Sequence, residues 1–312
     1  MASKLLDPGF YPGMDMDAYL ALPHISNSML GTFKQAPARL WAARHMPHKV
    51  ERPETPATIL GTAIHLAILE PDSFAASYVR AKPCNAEMKS GKRKGEQCGA
   101  DGKYSSAEEG WRCGKHKPPT WGTSIVLSPK EWDCCMGLRD NALSKKAQFG
   151  NPMARKLLRT RDGEVEVTGV WNDGPTGEAA KLRGDHVTDR HAVNTDIKSC
   201  LDASPLEFPR TFYSRRYYAQ QAHYSMGFAE LQRPMDHHYM IAAEKPYPYL
   251  IAVYRVVDDV MDLGRKEVRQ LLDLYHECME SDHWPGYPTK LLDIALPYWG
   301  EKQLRAAIQL ER

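Results

Sequence analysis

The chain has 312 residues, with 41 Lys plus Arg against 39 Asp plus Glu and a formal charge of +2. Apolar residues make up 42% and charged ones 26%, proportions of an ordinary globular protein that exclude disordered and low-complexity classes. No apolar run approaches the roughly 20 residues of a membrane span, and MASKLLDPGFYPGMDMDAYL lacks a basic stretch leading into an apolar one, so neither membrane insertion nor a secretory signal is expected.

Residues 1–22 read as extended and punctuated by Pro and Gly. Ser26-Asn27-Ser28 then opens a helical pattern through Met29, Leu30 and Phe33, with a hydroxyl placed to cap its first turn. Pro37 suits the first turn of a following helix that carries Leu40 and Trp41. After a Pro-rich link from Arg52 to Pro56 comes TILGTAIHLAILEPDSF, with Ile59, Ala63, Leu66 and Leu69 at helical spacing. Residues 80–120 differ in kind: rich in Gly and Lys and almost free of aliphatic side chains, they cannot build a core alone. They read as an insertion, after which IVLSPKEWDCCMGLRDNAL resumes helical periodicity.

From about residue 164 the period falls to two, and EVEVTGVWN, AAKLRGDHVTD and AVNTDIKS read as three short strands. A helix with Tyr213, Tyr217, Gln220 and Tyr224 follows, then strands in HHYMIAAEK and YLIAVYRVV, then an amphipathic helix marked by Val268, Leu271, Leu272, Tyr275 and Met279. The expected fold is mixed α/β, a small mixed sheet flanked by helices. It divides into an N-terminal helical part (1–79), the Cys-rich insertion (80–120) and a core with a hairpin and C-terminal helix (121–312).

The hairpin carries the chemistry. Asp196 and Lys198 are two apart on a strand, so their side chains leave the same face. If the turn is the two-residue Arg190-His191, antiparallel pairing sets Asp185 directly opposite Asp196, and opposed like charges in a sheet call for a cation. A hard ion such as Mg²⁺ or Mn²⁺ suits two carboxylates and the Ile197 carbonyl, with Lys198 beside it to orient or help deprotonate an attacking water. Those are the parts for phosphodiester hydrolysis; an exposed Asp/Lys pair on an edge strand is the plainer account of the same residues. His65 sits in a predicted helix, and Glu166 precedes the hairpin, able to face the same site. Gln220 and Tyr224 share one helix face. Arg210, Arg215 and Arg216 are interleaved with aromatic residues, a mixture that suits phosphate contact and base stacking or a helix packed on a core.

GTAIH, Glu166 to Trp171, RGDHV, TDIKS and QQAHY stand in the order found in PD-(D/E)xK nucleases of the RecB-like branch. The chain most resembles the phage and prophage exonucleases related to RecE (the exonuclease VIII group), over roughly residues 20–78 and 120–300. ISNSMLGTFKQAPARLWAARH resembles the N-terminal helix of that group, and WPGY with LPYW its C-terminal end. The resemblance implies a restriction-endonuclease-like fold and a Mg²⁺ site of His65, Asp185 and Asp196. It makes Lys198 the catalytic lysine and places Gln220 and Tyr224 in an element that supports the site and contacts DNA; Glu166 matches a less uniform acidic position. It further implies digestion of linear duplex DNA from the 5′ end by a homo-oligomeric ring, in phage recombination, alongside a single-strand annealing protein. A structure-specific or single-strand nuclease of the same fold, and a non-catalytic DNA-binding protein, are the alternatives.

Seven cysteines without an export signal indicate a reducing compartment, which the resemblance implies is the cytoplasm of a bacterial host. Cys134, Cys135, Cys200 and Cys278 read as small buried hydrophobes. Cys84, Cys98, Cys113 and His116 in the insertion form one ligand set suited to tetrahedral Zn²⁺, with Gly95, Gly99 and Gly114 for tight turns. The alternatives are a flexible loop, or an iron–sulfur cluster completed by Cys134 or Cys135. Relatives of the nuclease generally lack this insertion.

The near-neutral total argues against a nucleic-acid partner only as an average. The insertion holds ten basic and five acidic residues, leaving the remainder slightly acidic. Lys89, Lys92, Arg93 and Lys94 cluster between two candidate zinc ligands, either as a solvated run or as a DNA-contacting module.

Overall fold

The structure is a computed structural model that describes residues 5–47, 55–106 and 108–310, with no side chains described at 309 and 310. Of the Pro-rich link, Arg52, Pro53 and Glu54 lie outside the described residues. In chain order the first elements are β1 (Gly9–Phe10), α1 (Met16–Ala21), α2 (Asn27–Gln35), α3 (Pro37–His45), α4 (Pro56–Leu69) and α5 (Pro71–Ser77). The insertion region follows with β2 (Tyr78–Arg80), β3 (Tyr104–Ser106), β4 (Gly110–Arg112) and β5 (Ile125–Leu127). Then come α6 (Pro129–Leu143), α7 (Pro152–Leu158), β6 (Gly163–Asn172), β7 (Ala179–Thr188), β8 (Val193–Cys200), α8 (Phe208–Ser214) and α9 (Tyr217–Glu230). The chain ends with β9 (His237–Glu244), β10 (Ile251–Arg255), α10 (Asp258–Ser281) and α11 (Tyr298–Leu310).

Local chemistry explains the helix starts. Helices α3 to α7 each begin on a proline, whose missing N–H costs nothing at the first helical position. Ser26 caps α2 by accepting the Met29 N–H, Thr55 caps α4, and Ser128 with Glu131 makes a reciprocal capping box on α6.

Six strands form one sheet in the order β1-β6-β7-β8-β9-β10, antiparallel except for the β8–β9 pair. Helices cover both faces. On one side Trp171, Leu182, Ala222, Phe228, Val268 and Leu272 join α9 and α10 to the sheet, with Leu30 and Phe33 of α2. On the other, Ala63, Ile64, Ala67 and Ile68 of α4 pack with Leu138 of α6 against Ile197, Ile241 and Ala243. At Gly227 helix α9 lies close against the sheet: a Cβ there would lie 2.5 Å from the Trp171 ring. None of the helices is long and apolar enough to cross a membrane, among the described residues.

Three expectations change. Within residues 1–22, read as extended, Met16–Ala21 form helix α1, capped by Asp15. The single helix predicted through Tyr213 and Tyr224 is two, because Arg216 takes a left-handed conformation (φ 56°) between α8 and α9. Tyr213 is therefore not on the Gln220 face and is exposed. Met279 is likewise exposed, while Val268, Leu271, Leu272 and Tyr275 are buried as the periodicity of α10 requires. Cys134, Cys135, Cys200 and Cys278 are all buried.

Candidate active site

Sheet register assembles the site. Val165 pairs with His186 and Val167 with Gly184, which sets Glu166 opposite Asp185. His186 pairs with Thr195, which sets Asp185 opposite Asp196. Three carboxylates thus form a row across β6, β7 and β8. The regular ladder opens along it: Glu166 has φ 54°, and the Ile197 N–H donates to Asp185 Oδ2 at 2.8 Å. The turn between β7 and β8 is longer than two residues, yet its extension is symmetric, so the register is the one its centre predicts.

Such a row repels itself unless cations attend it. His65, on the flank of α4 beside the buried face, places Nε2 2.9 Å from Asp185 Oδ2 and Nδ1 3.2 Å from Glu166 Oε1. Arg183 pairs with the other oxygen of Glu166 and is itself held by Thr168 Oγ1 at 2.8 Å and the Met14 carbonyl at 2.7 Å. At the far end Lys198 Nζ lies 2.5 Å from Asp196 Oδ2. Gln220 spends its two amide hydrogens on Asp196 Oδ1 (3.0 Å) and Tyr224 Oη (3.1 Å), so the i, i+4 pair acts as one unit.

Burial and pairing compete in the charges. Burial alone would raise the Asp185 pKa, but His65, Lys198 and the Ile197 N–H bring it down to about 2. Asp196, fully buried, is pushed up by burial and by the charge of Asp185, against Lys198. Burial opposes the charge on His65, yet Asp185 and Glu166 raise it to about 9. Burial likewise opposes the Lys198 ammonium, and Asp196 and Asp185 overcome it, so its pKa lies above the ordinary lysine value.

One ligand atom each from His65, Glu166 and Asp185 lies within 4.8 Å of the others, a spacing a divalent ion can bridge. Asp196 stands outside this group, its Oδ2 turned to Lys198. The donor chemistry, an imidazole beside a row of three carboxylates, fits a hard divalent cation. His65, Glu166, Asp185, Arg183, Tyr19 and Tyr224 line a cleft of about 760 Å³. A second groove of about 500 Å³ shares Tyr19 and Tyr224 with it and adds Ser26, Ser28, Arg215 and Arg216. Arg216 is partly committed there, 3.1 Å from Glu267, which also pairs with Lys34.

Arg183 and Tyr19 had no assigned role in the sequence. The signal for Arg183 was its place in RGDHV, two residues before Asp185; Tyr19, in an irregular N-terminal stretch, carried none. The predicted DNA-contacting residues Lys89, Lys92, Arg93 and Lys94 all sit exposed on the insertion, and none of them lines the cleft. Arg93 is engaged locally, donating to Glu96 at 2.9 Å and to the Gln97 carbonyl at 2.8 Å.

Residues 140–291 match a family model described as a PDDEXK-like domain of unknown function. The match contains Glu166, Asp185, Asp196, Lys198, Gln220 and Tyr224, while His65 precedes it. No curated protein matches the chain. A crystal structure from Eubacterium rectale described as "Putative exonuclease" is similar at 11% identity, covering 89% of this chain and 97% of that one, with a TM-score of 0.49. The structure of SSO0001 is similar at 16% identity over 36% of this chain and 50% of that one, with a TM-score of 0.25.

Proposed function

From the match of residues 140–291 to a PDDEXK-like domain, we propose that the protein is a divalent-metal-dependent nuclease digesting linear duplex DNA from its ends. The observation that carries this is the row Glu166–Asp185–Asp196 crossing three strands, with His65 at one end and Lys198 at the other, beside an open cleft. His65, Glu166 and Asp185, with Asp196 across from them, would hold Mg²⁺ or Mn²⁺. When bound, such an ion supplies positive charge at the scissile phosphate and a more acidic water.

The chain's own groups do the rest. Lys198 keeps its proton, held there by Asp196 and Asp185, so it serves as a fixed cation that orients the reacting groups and balances phosphoryl charge. Gln220 and Tyr224 hold the Asp196 carboxylate in place from α9, and Arg183 does the same for Glu166. The groove with Ser26, Ser28, Arg215 and Arg216 offers hydroxyl and guanidinium donors for backbone phosphates next to the cleft.

In the finer form of the proposal, digestion runs from the 5′ end, by a homo-oligomeric ring, paired with a single-strand annealing protein in phage recombination. The setting is the cytoplasm of a bacterial host. These points rest on the resemblance to RecE-type exonucleases. Duplexes labelled at the 5′ or the 3′ end, digested in Mg²⁺ beside a nicked circle and single strands, test it. Early release of the 5′ label from the linear duplex is expected. Preference for the circle or for single strands, or no digestion at all, overturns it.

The basic tip of the insertion adds phosphate contacts in this scheme. Lys89, Lys92 and Lys94 are exposed and form no ion pair among the described residues. Replacing all three by Gln should lower the slope of log affinity against log salt by up to about three, since each phosphate contact contributes roughly 0.9. An unchanged slope in a filter-binding or anisotropy titration removes the insertion from the DNA interface.

A further inference from the structure

Away from the cleft, four soft ligands converge in the insertion. Cys84 and Cys98 lie on opposite arms of a hairpin closed by bridges between Pro83 and Asp101 and between Glu87 and Gln97. Gly95 and Gly99 turn its returning arm at φ 87° and 68°, a conformation glycine takes without strain. Cys113 and His116 stand at the two ends of the short 3-10 turn after β4, a separate stretch of chain.

The distances between these atoms are those of ligands around one ion. His116 Nδ1 lies 3.5 Å from Cys84 Sγ and 3.4 Å from Cys113 Sγ, and the Cys98 and Cys113 sulfurs are 3.9 Å apart. Tetrahedral Zn²⁺, with Zn–S of about 2.3 Å and Zn–N of about 2.0 Å, places S and N about 3.5 Å apart and two sulfurs about 3.8 Å apart. A disulfide between Cys98 and Cys113 would need the sulfurs at about 2 Å.

The packing gives the ion a purpose. Among the described residues from 82 to 120, those buried are Cys84, Gly102, Ser106, Cys113 and Pro118. There is no aliphatic cluster, so the thiols occupy the place of a core. Cys134 and Cys135 belong elsewhere, in α6 within the core beneath the sheet, with Cys134 Sγ against the Lys245 carbonyl. No fourth cysteine is therefore at hand for an iron–sulfur cluster.

We infer that Cys84, Cys98, Cys113 and His116 bind one Zn²⁺ in a closed structural site that keeps the insertion folded. Four protein ligands leave no open position for substrate, so the ion takes no part in hydrolysis. Its binding supplies the folding free energy that this segment lacks. The inference is independent of the nuclease proposal, because it is read from metal content and not from activity.

Metal analysis of the full chain, purified without added zinc, should find one equivalent of zinc. Cys98→Ser and Cys113→Ser should lose it, while Cys134→Ser and His65→Ala retain it, which separates this site from the cleft. Cobalt exchanged into the wild-type chain should give the intense visible absorption of tetrahedral Co²⁺ with thiolate charge transfer. Chelation should open the insertion to trypsin at its lysines before the rest of the chain is cut. Zinc-free protein with a protease-resistant insertion, zinc retained by both Cys98→Ser and Cys113→Ser, or iron with inorganic sulfide in its place overturns the assignment.

Discussion

Asp196→Asn should lower Mg²⁺-dependent digestion of linear duplex DNA by roughly a thousandfold or more while the chain still folds. Asparagine has nearly the shape of aspartate, so the change tests charge and not volume. Asp196 is completely buried, with Oδ1 receiving Gln220 and Oδ2 facing Lys198. An amide can satisfy only one of these: if its oxygen accepts from Gln220, its NH₂ meets a buried ammonium. Lys198 is then left with Asp185 as its remaining carboxylate, and the row of three carboxylates around the cation seat loses one of its charges. Three readouts decide the matter together: turnover, Mg²⁺ binding by calorimetry and the thermal melt. A folded variant that retains more than about a tenth of parental turnover removes Asp196 from the catalytic set. A variant that melts early leaves Lys198→Met as the complementary test, which keeps Asp196 and deletes its partner.

How much of this could be read before folding depends on range. The opposition of Asp185 and Asp196 follows from strand alternation and a turn centre, both local, and it survives a longer turn because one residue was added on each side. The helix of His65 was legible from apolar spacing, though the buried face proves to be Ala63, Ile64, Ala67 and Ile68 and not the stripe through Leu66. That one-residue rotation leaves His65 on the cleft side. Glu166 was harder. Its place opposite Asp185 requires the register of a second strand pair, and the length of the connection from 173 to 178 does not fix that register in advance. The clamp on Glu166 joins Arg183, Thr168 and the Met14 carbonyl, groups up to 169 residues apart in sequence, and no periodicity reports such a contact. The break at Arg216 was hidden for a different reason: nothing in FYSRRYY forbids a continuous helix, and the ion pair with Glu267 of α10 accompanies the turn. The zinc ligands were visible as residue types, but their convergence depends on β4 returning Cys113 to the hairpin.

Acidification should unfold this protein partly through two buried histidines outside the catalytic row. Burial lowers His223 from the ordinary 6.5 to about 4, and burial with the charge of Arg265 lowers His238 to about 4. Each ring has one nitrogen bonded, His223 Nε2 to the Lys181 carbonyl and His238 Nδ1 to Gln221 Oε1, and one buried without a partner. The neutral forms are thus the folded ones. In the unfolded chain these groups take up protons below 6.5, whereas in the folded chain they do so only near 4. Their contribution is therefore complete above 6.5 and is lost as the pH falls toward 4, by about 2 kcal/mol each at pH 5. Asp196 works in the opposite sense, since its raised pKa lets the folded state gain a proton first and so adds stability on acidification. Comparing parent and variant cancels that contribution. His223→Gln keeps a donor near the Nε2 position and His238→Asn one near Nδ1, and neither titrates. Between pH 7.5 and pH 5 the double variant should lose about 4 kcal/mol less than the parent in urea unfolding. Equal losses in the two proteins would show that these imidazoles accept protons within the folded core, and the acid sensitivity would then have to arise from the carboxylates and from His24 and His186, whose pKa values burial also lowers.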